Sequence, residues 1–579
     1  MTTNEKKPRR RSGCMTGIII FIVLYIVSTI LSGIWLNNMF SSSVSLDSET
    51  VYMLRMKGTV AEQGQEDNPF ASMMGDVPGY QQEDIVGLDD LLHNIRMAKN
   101  DDRIKGIMLS EGELQMGFAT AQALRNALLD FKESGKFLIA YAPSYSQLNY
   151  YVASVADSLY LNPTGTVNWN GLSANKMYFT RLLEKLGVRM QVVKVGTFKS
   201  AVEPYIRTDM SEADRQQTMQ YVNGLWQELV AGVSQSRSIE EARLNEYADR
   251  YMGLQPADSM VSCGLVDRLI YSQEIDSILT RLVGTEDYNV IKTSQLAAVS
   301  EKNTSSKNKI AVFYAEGEIT DTNGNWIVGL KTVRQLNKIR KDEDVKAVVL
   351  RVNSPGGSAD ASEQIWHAVQ LLRESGKPVV VSMGDYAASG GYYISCGADY
   401  IYAQPGTLTG SIGIFGLIPD VSQLRSKLGL DMDGVKTNAH SDLETNAIYR
   451  GMNSEENAMM QQMVERGYDL FTRRCADGRH TSQDEIKKIG EGRVWLGKDA
   501  LTLGLVDELG GMDEAVRKAA ELAELDKYEL TYYPDRKDFL TQLLEQLDSS
   551  SEEEKMISRI RERCSEARVL MLMHFPEIK

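Results

Sequence analysis

Cysteine and histidine are both scarce, with five of each in 579 residues. Cys14, Cys263, Cys396, Cys475 and Cys564 are scattered and form no CxxC pair. This argues against a disulfide framework and a cysteine-ligated zinc, and leaves the redox compartment open. His93, His367, His440, His480 and His574 make no HExxH or i,i+4 pair, so no metal is expected. Basic charge is also in deficit: 63 Lys and Arg stand against 78 Asp and Glu, a net charge of −15. Nucleic acid is therefore excluded as a partner, because a phosphate-binding surface normally leaves a basic footprint. Long apolar runs are missing but for one, and 43% hydrophobic with 24% charged residues fits a chain that folds mostly in water. Its length exceeds one core and suggests roughly four units of about 150 residues each.

The one long apolar run is amino-terminal. No charged residue occurs from Ser12 to Ser45, and Gly17 to Leu36 reads GIIIFIVLYIVSTILSGIWL. As a helix it would span about 30 Å, enough to cross a bilayer. Lys6, Lys7, Arg9, Arg10 and Arg11 precede it, so the positive-inside rule keeps the terminus cytoplasmic and the rest of the chain on the far side. A cleaved signal peptide would have a shorter apolar region and an Ala-x-Ala site, which is absent; an uncleaved anchor is expected.

The remainder repeats itself. Tyr150 to Tyr160 reads YYVASVADSLY and Tyr392 to Tyr402 reads YYISCGADYIY. The same register aligns Pro163 with Pro405, Gly171 with Gly413, and Lys185-Leu186-Gly187 with Lys427-Leu428-Gly429. ESGK and GLVD each occur once per copy. Within a copy, strand and helix patterns alternate: KIAVFYA, VKAVVLRV and PVVVSMG are short β-branched runs suited to strands buried on both faces. Between the last two, Ile365, Val369 and Leu372 mark one helix face ending near Gly376. The expected fold is α/β, a tandem duplication of a βαβ domain with parallel sheets. The chain divides into a basic segment and anchor (1–46), a first copy (47–299), a polar linker (300–309), a second copy (310–547) and a charged helical tail (548–579) that ends in the apolar VLMLMHF. Residues 62–83 are expected to be a mobile excursion.

Two glycine-rich turns follow strands in the second copy: Asn353-Ser354-Pro355-Gly356-Gly357-Ser358 and Asp385-Tyr386-Ala387-Ala388-Ser389-Gly390-Gly391. Glycines there let backbone N–H groups approach developing negative charge, and Ser389 among small residues is open enough for a nucleophile. No histidine lies nearby in sequence, but a buried lysine can serve as base once burial favours its neutral form. Lys199, within GTFKSAVEP of the first copy, is the candidate; its counterpart in the second copy is Ser441, and Ser389 falls opposite Gln147-Leu148-Asn149. Each copy lacks the other's reactive group, as one site assembled from both halves requires.

GTFKSAVEPYIRTDMS (196–211), RVNSPGGSADASE (351–363), DYAASGGYYIS (385–395), TGSIGIFG (409–416) and GRVWLGKDALTLGLVD (492–507) resemble, in order, the long duplicated form of the signal peptide peptidase A family. That resemblance implies a bacterial membrane-anchored serine protease with crotonase/Clp-protease-like copies and no cofactor. It implies Ser389 as nucleophile, Lys199 as general base, the Gly356 and Gly390 amides as oxyanion donors and Ser411 as the hydroxyl orienting the lysine. It also implies remnant signal peptides as substrates, a homotetramer, and a location in the inner membrane with the catalytic domains outside the cytoplasm. Ile412, Ile414 and Phe415 either line an apolar groove or belong to the core. An acyl-CoA enzyme of crotonase type and a non-catalytic scaffold are the alternatives.

Overall fold

The computed structural model describes residues 46–65, 85–110, 112–297, 299, 306–321, 327–536, 569–572 and 577–578. The expected anchor and most of the 62–83 stretch lie outside these residues.

The β-branched runs form two sheets with a shared plan. In the first copy the strands run in the order Arg268–Leu269, Ser158–Leu161, Phe137–Ala142, Ile104–Ser110, Thr50–Arg55, Asn289–Lys292, each pair parallel. In the second, Glu508–Leu509, Tyr400–Ala403, Val379–Ala388, Val345–Ser354, Lys309–Glu316 and Glu529–Tyr533 repeat that order, again parallel. The continuous apolar character of these strands follows from burial on both faces. Val348, Leu350, Val379 and Val381 pack with Ile365, Val369 and Leu372 of the helix Ala359–Glu374, whereas Val349, Val380, Ile310 and Val312 pack with Ala515 and Ala519 on the other side.

The recurring YY…AD motif has the same use in each copy. Asp157 accepts the Leu138 N–H and Asp399 the Val379 N–H, both at 2.8 Å. Tyr150 donates to the Leu265 carbonyl and Tyr392 to the Leu505 carbonyl. These side chains satisfy buried backbone groups where each strand begins and each GLVD turn passes, so the repeated letters mark repeated hydrogen bonds.

The copies are joined by backbone as well as by side chains. Arg189–Val195 of the first copy pairs antiparallel with Ile414–Asp420 of the second, from Val195 opposite Ile414 to Arg189 opposite Asp420. The chain leaving that strand therefore runs directly into the second copy, where the Phe198 N–H bonds the Glu491 carbonyl at 2.9 Å. Two sequence expectations need revision. Val569–Leu572, in the tail read as helical, is a strand lying antiparallel between Gly356–Ser358 and Ile414–Asp420. Glu62, read as the start of a mobile excursion, is buried and paired with Arg351 at 2.7 Å; a carboxylate so placed is fixed by its counter-ion.

Candidate active site

Ser389 sits between the strand Val379–Ala388 and the helix Gly390–Ser395 with φ 58° and ψ −114°. A positive φ is uncommon away from glycine, and it persists here because both ends are held. The Ser389 N–H bonds the Gly410 carbonyl and its own carbonyl accepts from Tyr393 N–H. The following glycines are needed for space. A Cβ at Gly390 would lie 2.7 Å from Ser362 Oγ and 3.2 Å from Gly356 Cα, and one at Gly391 would lie 2.6 Å from the Ser354 carbonyl oxygen. The two glycine turns thus meet, bringing Gly356 and Gly390 side by side.

Lys199 reaches this turn from the first copy and is fully buried, as are Ser389 and Ser411. Its Nζ lies 2.7 Å from Ser389 Oγ, 3.0 Å from Ser411 Oγ and 3.1 Å from the Ser411 carbonyl oxygen. Burial lowers the lysine from 10.5 to about 7. The charged ammonium loses its hydration there, and a substantial neutral fraction is available near neutral pH. Ser411 is itself held by its N–H to the Arg493 carbonyl at 2.7 Å and its hydroxyl to the Gly492 carbonyl at 3.3 Å.

Residues the sequence did not single out position the lysine. Gln217 is buried on the helix Glu212–Arg237 and donates to the Phe198 carbonyl at 2.9 Å and Ser200 Oγ at 3.0 Å, bracketing Lys199, while its oxygen accepts from Val494 N–H of the second copy. Gly492 packs so closely that a Cβ there would lie 2.6 Å from Lys199 Cβ. A glutamine mid-helix leaves no local pattern, whereas Gly492 was visible as the first residue of the GRVW segment. Ile412 and Ile414 lie in the second copy's core, and Phe415 packs with Ala201 and Val202. Among the described residues no cluster of His, Cys, Asp and Glu is arranged to hold a metal.

The corresponding place in the first copy is filled. Asn149 accepts from Leu114 N–H at 3.1 Å and donates to the Leu114 carbonyl at 2.9 Å, so a side-chain amide occupies the backbone groups beside the missing serine. Among the described residues one such site is built.

The sequence model of peptidase family S49 matches residues 130–286 and 371–526, once in each copy. The chain belongs to peptidase family S49. The Clp protease model also matches residues 303–407, in keeping with a duplicated Clp-protease-like α/β architecture. Protease 4 of Salmonella typhi is 38% identical over 546 residues, covering 92% of this chain and 87% of the relative. Protease 4 of Haemophilus influenzae is 37% identical, covering 83% and 80%. A chloroplastic serine protease SPPA of Arabidopsis thaliana is 28% identical, covering 76% and 66%. This S49 member is a long-form serine protease, and the acyl-CoA and scaffold alternatives fall away.

Proposed function

We propose that the chain is a Ser/Lys-dyad endopeptidase acting on extended apolar peptides, remnant signal peptides among them. The observation that carries this reading is the 2.7 Å approach of a fully buried Lys199 Nζ to Ser389 Oγ. Neutral Lys199 takes the hydroxyl proton as Oγ bonds to the substrate carbonyl carbon. The carbonyl oxygen becomes an oxyanion held by the Gly390 N–H and by the Gly356 N–H, which exchanges its 3.2 Å bond to Ser354 Oγ for the oxyanion. Lys199 then passes its proton to the departing amine as the C–N bond breaks, leaving an ester on Ser389. A water attacks that ester with Lys199 again as base, and the proton returns to Oγ as acid is released. Ser411 keeps the ammonium aimed at Ser389 throughout.

The peptide-binding mode follows from the tail strand. Val569–Leu572 pairs on one side with Gly356–Ser358 and on the other with Ile414–Asp420, and Leu572 stands opposite Gly356. A substrate adding itself there as an antiparallel strand would be recognised first by its backbone, and its carbonyl would reach the two glycine amides. A relative in Enterococcus faecium, 34% identical over 36% of this chain, carries the name putative signal peptide peptidase SppA, which supports that substrate class. An anchor at residues 17–36, with the amino terminus cytoplasmic and the catalytic copies beyond the inner membrane, would place the groove where such peptides leave the bilayer. Assembly as a homotetramer belongs to the same reading.

The test is labelling of the full chain, in detergent, with a serine-reactive fluorophosphonate. Ser389 is expected to carry the adduct, and labelling and peptide cleavage are both expected to fall by several powers of ten in Lys199→Ala. Undiminished cleavage in both Ser389→Ala and Lys199→Ala would overturn the assignment.

A further inference from the structure

Behind the glycine turns lies a buried charged cluster that the chemistry above does not use. Arg351 is on Val345–Ser354, the strand that leads into the Gly356 turn, and is buried. Its Nε donates to Glu62 Oε2 at 2.7 Å and its Nη2 to Glu62 Oε1 at 3.3 Å. Its Nη1 donates to Ser382 Oγ at 2.8 Å and the Met383 carbonyl at 3.0 Å, on the strand that ends at Ser389. One guanidinium thus ties together the oxyanion-side strand, the nucleophile strand and a carboxylate of the first copy.

The Glu62 carboxylate presses on the turn itself. A Cβ at Gly384 would lie 2.5 Å from Glu62 Oε1 and 2.9 Å from Asn353 Cβ. One residue further, Asp385 crosses back to the first copy, accepting from Thr120 N–H at 3.0 Å and Thr120 Oγ1 at 2.7 Å at the start of the helix Phe118–Lys132. Tyr386 N–H then bonds Asn353 Oδ1 at 3.1 Å, and Thr409 Oγ1 bonds the Ala387 carbonyl at 2.7 Å. Between Gly384 and Ser389 the backbone is thus held at Gly384 and Asp385 by the first copy, at Tyr386 by the Asn353 turn, and from Ala387 to Ser389 by the neighbouring strand Leu408–Gly410. Glu316 completes the cluster, accepting the Glu62 N–H at 3.4 Å. Burial, then the Glu62 charge, raise its carboxyl to about 7. Glu62 pairs directly with Arg351, and the guanidinium charge also acts on Glu316 and Asp385.

We propose that Glu62 and Arg351, with the Asp385–Thr120 contact, form a positioning lock through which docking of the first copy sets the spacing between Ser389 and the Gly356 amide. The inference rests on Ser389 being the nucleophile. Glu62 touches no reacting atom; it acts through the backbone at Gly384, and Arg351 acts through both strands. Misplacement of a nucleophile by a fraction of an ångström lowers turnover far more than peptide binding, because binding also draws on the Ile414–Asp420 edge, a strand separate from the two that Arg351 ties.

The test measures kcat and KM per phosphonate-titratable site in the full chain. Glu62→Ala is expected to lower kcat by at least about tenfold with KM within about threefold, and Glu62→Gln, which still bonds Arg351, to stay within about threefold of the parent. Thr120→Val removes only the hydroxyl contact to Asp385 and is the gentler variant should Glu62→Ala fold poorly; about a three- to tenfold loss in kcat per site is expected. Parental turnover per titrated site in the variant that folds would overturn the lock, as would a loss carried by KM. Parental labelling at Ser389 in those same samples would leave the nucleophile assignment intact. Labelling of another serine in the parent would overturn both.

Discussion

A lysine kept neutral in a protein interior should weaken the fold at the pH where it works, and replacing it should show this. Lys199 is lowered from 10.5 to about 7 by burial. At about 1.4 kcal/mol per pH unit, that gap costs the folded chain about 5 kcal/mol once the medium is acidic enough to protonate both states. Between 7 and 10.5 the unfolded chain binds the proton and the folded chain does not, so the penalty disappears as pH rises through that window. Lys199→Met keeps most of the packing volume and removes the charge. It also removes the contacts to Ser389 and Ser411, worth roughly 1 kcal/mol each. The expected result is a variant with no peptidase activity that is about 2–3 kcal/mol more stable than its parent at pH 6, with the advantage gone by about pH 10. Equilibrium urea unfolding at fixed pH values, followed by tryptophan fluorescence, measures it. Equal midpoints at pH 6, or a difference that does not change with pH, would refute the claim that desolvation governs this lysine.

Three further outcomes follow from the same geometry. In the parent, kcat/KM for a peptide should rise with pH through about 7 as Lys199 loses its proton, and a pH–rate profile reads this directly. Gly492→Ala, placing a methyl 2.6 Å from Lys199 Cβ at a residue with φ 77°, should lower kcat by about a hundredfold in steady-state assays while leaving Ser389 in place. Truncation after residue 568 should raise kcat/KM for a short peptide several-fold, because Val569–Leu572 lies in the groove the peptide needs; unchanged kinetics would count against that competition.

The duplication, the strand runs and the Ser389 and Lys199 segments were legible because each depends on local letters or on a fixed register. The YY…AD motif could be read as a repeat, although only the fold shows that its Asp and Tyr serve strand ends. Long-range partners were not legible. Nothing around Glu62 announces a partner 289 positions away, and its polar, glycine-containing neighbourhood imitates a loop. Gln217 is equally silent, since a polar residue on a helix is ordinarily solvated. The tail misled for a different reason: VLML is compatible with helix or strand, and the backbone edges at Gly356–Ser358 and Ile414–Asp420 decide between them.

The crossing of Arg189–Val195 into the second copy has a consequence in time. Lys199 and Ser389 are 190 positions apart, which at about 5–20 residues per second means an interval of about 10–40 s during synthesis. Throughout it the growing chain holds a base without a nucleophile. A chain that stops before the second copy is complete, or whose halves are cut apart before they dock, therefore releases no stray protease. Division of the dyad between the copies makes completion of the second copy the step that arms it.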